Sequence, residues 1–566
     1  MNSSRAQDAR HALFLALLSG ALFFFNLAGY GLIDPDEPFY ALTAKEMLER
    51  RDPMTPVMFG APQFEKPILF YWALYASFRT FGVNEFAARA VPAAAGALAA
   101  FAAYALARAA LVKPRTAFIA AAVFAGCAQT VVLSRLVLTD SLLCLFTTSA
   151  LAAFAAGFFR PHLRRAVWPL VFVFAALGTL TKGPLGALLP ALSVAAFLAL
   201  TGRLATAREL PWGKGLLLFA ALAGPWYAWT ALQYGPDFLS HFFLHENVRR
   251  FFVAEHRSLD RWYVYPGGFL LGFFPWAGAA LAGLALGLRK FFGRPSEDRE
   301  ALVFLSCAFW APFLFFSLAE SKLLSYPFPA FPAAAILAAA WIERADRGLR
   351  ARAPLAAMAA GTVFFHGVVP VAVTALLWAY AAKEGLRLDL PCAAFALAVA
   401  GSGALAIFFV FRRRVMRAAA AVAAGSVAAA IVGFGWLLPA SAPAFSSKDG
   451  VRMYREREPV REELLLGSKM VFRGVAFYSG APARVFAEDP KRLFYTTPPA
   501  PAVSSAEDLE RLPENAFPLY AILRDRELIY LRKVTEGRFA VETTPAGGRK
   551  SLVRIERTAS STGRPS

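Results

Sequence analysis

Carboxylates, lysines and tyrosines recur in this 566-residue chain where long apolar stretches begin or end. Ile33-Asp-Pro-Asp-Glu-Pro-Phe-Tyr40 brings Asp36, Glu37 and Tyr40 together, and Phe64-Glu-Lys-Pro67 sets Glu65 beside Lys66. Asp140, Lys182, Glu246, Lys322 and Tyr326 occupy comparable positions farther along, with His245 and Arg250 near Glu246. Paired carboxylates suit proton transfer or stabilisation of a developing positive charge, and lysines and arginine suit a departing anion. Each has a plainer reading. Asp36 can cap a helix that starts ahead of Pro38, Glu65 and Lys66 can be a solvated ion pair, Asp140 and Lys182 a buried one, and Tyr326 part of an interfacial belt.

The elements that must position these residues are membrane spans. The chain is 58% hydrophobic and 17% charged, with repeated apolar stretches near the roughly 20 residues a bilayer-crossing helix needs. About thirteen spans are expected, near 11–30, 86–109, 115–134, 138–158, 166–181, 184–201, 215–233, 266–288, 301–318, 324–342, 355–381, 390–411 and 418–439. Tyr30-Gly-Leu-Ile-Asp34 offers no small-residue cleavage site, so the first stretch is read as a retained helix. Basic residues occupy every second connection: Arg5 and Arg10, Arg108 to Arg115, Arg160 to Arg165, Arg203 and Arg208, Arg289 to Arg294, Arg344 to Arg352, and Arg412 to Arg414. The positive-inside rule puts these in the cytoplasm, and all the candidate residues above then fall on the opposite side. That convergence points to an active site at an outer membrane surface. The net charge of +20 is spread over loops rather than gathered in one patch, so nucleic acid is not an expected partner.

Residues 34–85 contain two stretches suited to helices lying in the membrane interface, Pro38 to Arg50 and Pro67 to Phe81. Residues 234–265 mix aromatic and ionisable groups. From Ser446 onward the composition is that of a small soluble domain, with strand-like runs at Ala483–Phe486, Leu519–Leu523 and Leu528–Leu531, and an end after about residue 557 expected to be disordered. The expected domains are therefore a transmembrane catalytic unit, 1–440, with outer loops 34–85 and 234–265, and a periplasmic α/β unit, 441–566. The cysteines, Cys127, Cys144, Cys307 and Cys392, fall inside spans and suggest neither disulfides nor a zinc site.

The order Asp-Glu-Pro-x-Tyr-Ala, Phe64-Glu-Lys-Pro67 and Phe81-Gly-Val-Asn-Glu-Phe-Ala-Ala-Arg89 resembles the bacterial lipid A aminoarabinose transferases. Their wider relatives are the protein O-mannosyltransferase-like enzymes of the GT-C superfamily. Leu138-Thr-Asp-Ser141, Leu180-Thr-Lys-Gly183, His245-Glu-Asn-Val-Arg-Arg-Phe251 and Ser321-Lys-Leu-Leu-Ser-Tyr-Pro327 fit the same order. The resemblance covers residues 10 to about 345; the tail matches only in position and size. It implies a GT-C fold, mainly α, and transfer of a sugar from a polyprenyl-phosphate donor to lipid A, a glycan or a protein at the periplasmic face of a bacterial inner membrane. By motif position it implies catalytic roles for Asp36 and Asp140, with Glu37 beside them, and a phosphate-holding role for Lys66. Lys182, Arg250, Lys322 and Tyr326 match positions lining the same cavity, with Glu65 among the donor-binding group.

One departure bears on specificity: the long loop reads His245-Glu246-Asn247 where the aminoarabinose enzymes tend to read Glu-His before the arginine. Sugar, acceptor and metal use are left open by it. No cofactor is required by the pattern; a divalent metal on His241, His245 or His256 is the one candidate. The rival class is a transporter or lipid flippase, against which stand the gathering of polar groups on one side instead of the midplane and the lack of an inverted repeat.

Overall fold

The computed structural model describes residues 2–111, 113–240, 242, 252, 261–293, 296, 298–348, 364, 368–458, 465–488 and 502–558. Helices occupy most of the described part of the segments expected to span, so the polytopic helical reading holds. Seven helices among the described residues are long and apolar enough to cross a membrane, and an eighth span is formed if Val264–Gly272 and Ala277–Phe292, bent by 118° to one another, are taken as one. Pro114–Ala125, Leu185–Leu200 and Val371–Lys383 are apolar but shorter.

The opening elements run α1 (Asn2–Ser19), α2 (Asp36–Arg50), α3 (Leu69–Phe81), α4 (Glu85–Leu111), α5 (Pro114–Ala125), α6 (Ala128–Leu133), α7 (Asp140–Phe159) and α8 (Arg164–Lys182). Alanine dominates the buried face of α4, where Ala99, Ala100, Ala103 and Ala107 are fully covered. Such small side chains let α4 pack closely against α7, α5 and α3, the kind of approach that joins helices in lipid. Arg135, just after α6, is buried and donates to the carbonyls of Leu22, Phe23 and Phe25, which end the first span. A guanidinium inside an apolar bundle is costly unless its donors are filled, and here it locks two chain segments together.

The basic connections meet one another. Arg108 pairs with Asp8, Arg164 with Glu209, Arg203 with Glu300, Arg115 with Asp346, and Arg344 with Asp298. These loops therefore share one face of the bundle, as their alternation along the chain requires.

At the other face α2 and α3 are packed more deeply than helices resting in an interface would be. Phe39, Tyr40, Ala44 and Met47 of α2 are buried in a core that also takes in Val451, Tyr454, Val475 and Ile522 from the tail. The helix lies sandwiched between bundle and tail, and a short hairpin, β1 (Val57–Met58) with β2 (Ala61–Pro62), links it to α3.

The tail carries a six-stranded sheet of order β5-β4-β3-β6-β8-β7: β3 (Leu465–Ser468), β4 (Ala483–Phe486), β5 (Ala502–Val503), β6 (Leu519–Arg524), β7 (Phe539–Pro545) and β8 (Lys550–Arg557). β5, β4, β3 and β6 are parallel, and β8 and β7 continue the sheet antiparallel. Two expected strands are found. Leu528–Leu531 is instead part of a helix, Asp525–Thr535. Its first turn holds Asp525 and Glu527 and its last Arg532 and Lys533, an arrangement that complements the helix dipole and overrides a four-residue apolar run.

Candidate active site

Asp36 and Glu37 form the first turn of α2, where carboxylates are favoured by the dipole. Asp36 is exposed, and Pro35 occupies the position ahead of the helix, so Asp36 is the first helical residue and not its cap. Glu37 points inward and is 1% exposed. Its Oε1 accepts from Arg89 Nε at 2.9 Å and from the Val137 backbone at 3.0 Å, and its Oε2 accepts from Arg89 Nη2 at 2.6 Å and from the Ile33 backbone at 2.7 Å. Arg89 completes its donors on the carbonyls of Leu27, Tyr30 and Gly31 and lies over the Tyr30 ring. One buried pair thus joins the end of the first span, the start of α2 and the turn leading to Asp140.

Asp140 opens α7 and Lys182 closes α8. Each charge sits at the helix end that stabilises it, and Gly183, at φ +70°, takes a backbone conformation open to glycine that stops α8 just past the lysine. Lys182 Nζ meets Asp140 Oδ1 at 2.8 Å, both side chains being nearly covered. The same ammonium lies 5.0 Å from the centre of the Tyr326 ring, which packs on Phe316.

Tyr40 joins the two halves. Burial pushes its hydroxyl pKa well above the ordinary value, and Tyr71, Asp140, Glu65 and Asp36 push it further. The charges of Asp36, Glu65 and Asp140, 104 positions apart at the extremes, thus act on one buried phenol, whose ring packs against Phe70 and Tyr71. Gln63 sets the approach of Glu65: its amide donates to Tyr71 and Thr43, and its carbonyl accepts from the Glu65 backbone. Lys66, half-buried, donates to the Glu65 carbonyl at 2.8 Å. Lys322, buried, donates to the Ala319 carbonyl at 2.7 Å. His245, Glu246 and Arg250 lie outside the described residues, as do His241 and His256. Among the described residues no group of three or more His, Cys, Asp or Glu side chains could hold a metal ion.

A separate cavity of about 650 Å³ opens between α2 and the tail, lined by Lys45, Glu49, Arg50, Arg484 and Asn515 among others. It lies along the opposite half of α2 from Asp36.

The arrangement has known counterparts. Residues 11–238 match the dolichyl-phosphate-mannose-protein mannosyltransferase family. An undecaprenyl phosphate-alpha-4-amino-4-deoxy-L-arabinose arabinosyl transferase from Pectobacterium atrosepticum is 32% identical over 375 residues, 64% of each chain. One from Proteus mirabilis is 32% identical over 350 residues, 61% of each. These matches thus span less than two thirds of the relatives' length. In three dimensions, ArnT from Cupriavidus metallidurans, solved bound to undecaprenyl phosphate, superposes with a TM-score of 0.75 at 20% identity, covering 98% of this chain and 99% of that one. The chain has the fold of that transferase. The Archaeoglobus fulgidus oligosaccharyltransferase shares it more distantly, with a TM-score of 0.51 at 14% identity over 98% of this chain and 74% of that one. The resemblance to the aminoarabinose and O-mannosyl transferases expected from the motifs is borne out, and the fold places this chain among polytopic membrane proteins.

Arg89 and Asp34 lie inside motifs that give them no task, and nothing local in the sequence singles out Gln63 or Lys550. For Arg89 the signal was available, since an arginine in an alanine-rich span has to be paid for by partners. For the others the partners come from distant segments.

Proposed function

We propose that the chain is a glycosyltransferase that moves a sugar from a polyprenyl-phosphate donor to lipid A, a glycan or a protein at the periplasmic face of a bacterial inner membrane. The observation that carries this reading is the nearly covered Asp140–Lys182 pair at facing helix ends, with the Tyr326 ring against Lys182 and the exposed Asp36 carboxylate opening α2. Relatives named for the same donor class support it. In this reading residues 1–440 form the catalytic unit and 441–566 an outer domain.

The reaction breaks the bond between the anomeric carbon and the phosphate oxygen, and the electron pair leaves with the lipid phosphate. Lys66, Lys322 and Arg250 neutralise that phosphate, while Glu65 and Asp140 face the electron-poor sugar. Lys182 holds Asp140 in place, and Tyr326 lies against the lysine. The acceptor oxygen attacks the anomeric carbon. If it is a hydroxyl, its proton passes to Asp36, which alone of the acidic trio at this site is exposed. If it is a phosphate, no proton moves and the site needs only to align it. Glu37, with both oxygens occupied, acts by positioning Asp36 and Asp140 together. A divalent metal, should one take part, would draw on the histidines of the 234–265 loop.

Mass spectrometry of lipid A and total glycolipids from cells with and without the protein tests the reading; identical profiles would sink it. Orientation is checked with single cysteines. Glu536→Cys in the tail should react with a membrane-impermeant thiol reagent in intact spheroplasts, and Arg414→Cys in a basic loop should not.

A further inference from the structure

The connection Phe445–Ser447, where the helical part hands over to the tail, is gripped from two sides. The Asp34 backbone donates to the Phe445 carbonyl at 2.9 Å, and Asp34 Oδ2 accepts from the Ser447 backbone at 2.8 Å. From the other side Lys550, the first residue of β8, donates to the Ser446 carbonyl at 2.7 Å. Lys550, Ser446 and Ser447 are all buried. The fit leaves no slack: a Cβ on Gly474 would stand 2.3 Å from Asp34 Oδ1 and 2.2 Å from Ser447 Oγ, and one on Gly31 2.3 Å from Ser446 Oγ. Neighbouring ties run the same way. Tyr478 of the tail accepts from the Leu32 backbone at 2.6 Å and donates to Glu85 at 3.0 Å, and Lys448 meets Glu85 at 2.6 Å. The Asp34 and Leu32 contacts land on the residues just before Asp36 and the Glu85 contacts on the first turn of α4, while Lys550 holds the connection itself. Burial also pushes the Asp34 carboxyl up to about 8 and the Lys550 ammonium down to about 8, each opposed by the other's charge.

We propose that Asp34 and Lys550 are positioning residues: through Phe445–Ser447 the C-terminal sheet clamps the first loop and so fixes where Asp36 stands. The tail thereby acts on the reaction without touching substrate. This role rests on the transfer reading for its kinetic consequence, but the clamp itself does not.

The full chain in lipid nanodiscs, with Lys550→Met, Lys550→Arg and Gly474→Ala, separates the two. Lys550→Met should raise amide hydrogen exchange over residues 31–40 by about tenfold and leave α7 unchanged. With undecaprenyl phosphate-aminoarabinose as donor and lipid A as acceptor, it should lower kcat roughly tenfold to a hundredfold. KM for the donor should stay within about twofold, because groups elsewhere hold the donor. Lys550→Arg, which keeps a donor, should recover part of both. Should Lys550→Met not fold, Gly474→Ala keeps both charged groups, presses on Asp34 and must give the same pattern. Unchanged exchange at 31–40 in the folded variants would overturn the clamp. Faster exchange with unchanged kcat would overturn the positioning role. Absence of transfer by the unsubstituted chain would count against this donor and acceptor, and exchange would still decide the clamp.

Discussion

The two faces of the bundle use the same side chains under opposite conditions. On the basic face Arg203 reaches Glu300 and Arg115 reaches Asp346 with arginines about half exposed, whereas on the site face Arg89 and Glu37 are sealed from solvent. An exposed pair gains little because water already solvates both partners, and its measured worth is about 0 to 1 kcal/mol. A buried pair has given up that solvation, so removing one partner strands the other and costs about 3 to 5 kcal/mol. The basic face is thus marked by many charges of individually small value. The site face depends on a few that cannot be altered singly.

The largest expected effect breaks or upholds that contrast directly. Arg89→Met should lower unfolding stability of the detergent-purified protein by about 3 to 5 kcal/mol, against less than about 1 kcal/mol for Arg203→Ala. Equal losses would show that burial does not set the difference. Next comes Asp36→Asn, on the same turn as Glu37 but exposed. Transfer should fall by roughly a hundredfold or more while the thermal midpoint stays nearly constant, because the carboxylate is needed for chemistry and makes no cap. Retained transfer would move the catalytic assignment to Asp140 or Glu246. The smaller expected effect is at Lys66. Lys66→Ala should cost on the order of tenfold to a hundredfold in kcat, with Lys66→Arg keeping part, since the charge survives in a different shape. Full activity in a folded Lys66→Ala protein would remove it from the phosphate site.

Much of the architecture was legible in the linear chain because a bilayer enforces simple rules. Apolar length announced helical spans and the alternating basic loops a shared face, and the pairing of Arg108, Arg164 and Arg344 with loops of the same face agrees with that alternation. Asp140 and Lys182 could be singled out because each ends an apolar stretch. Leu528–Leu531 was misread as a strand because four apolar residues carry no usable period, and the flanking charges that favour a helix act only over the whole Asp525–Thr535 segment. The depth of α2 was likewise hidden, since its second partner is a sheet more than four hundred residues away.

By itself, then, the order of residues determined that this is a polytopic membrane protein and which polar groups lie at the ends of its apolar stretches, because hydropathy and charge act locally and hold whatever the neighbours do. Only the tertiary structure decided which of those groups meet. Glu37 became a buried tie and Asp36 an exposed carboxylate although they are adjacent, because successive residues of a helix point in different directions and Arg89 waits on one side only. Asp34 and Lys550, separated by nearly the whole chain, are brought to one connection by the docking of the sheet, and no local pattern can encode a contact that depends on where a distant element comes to rest.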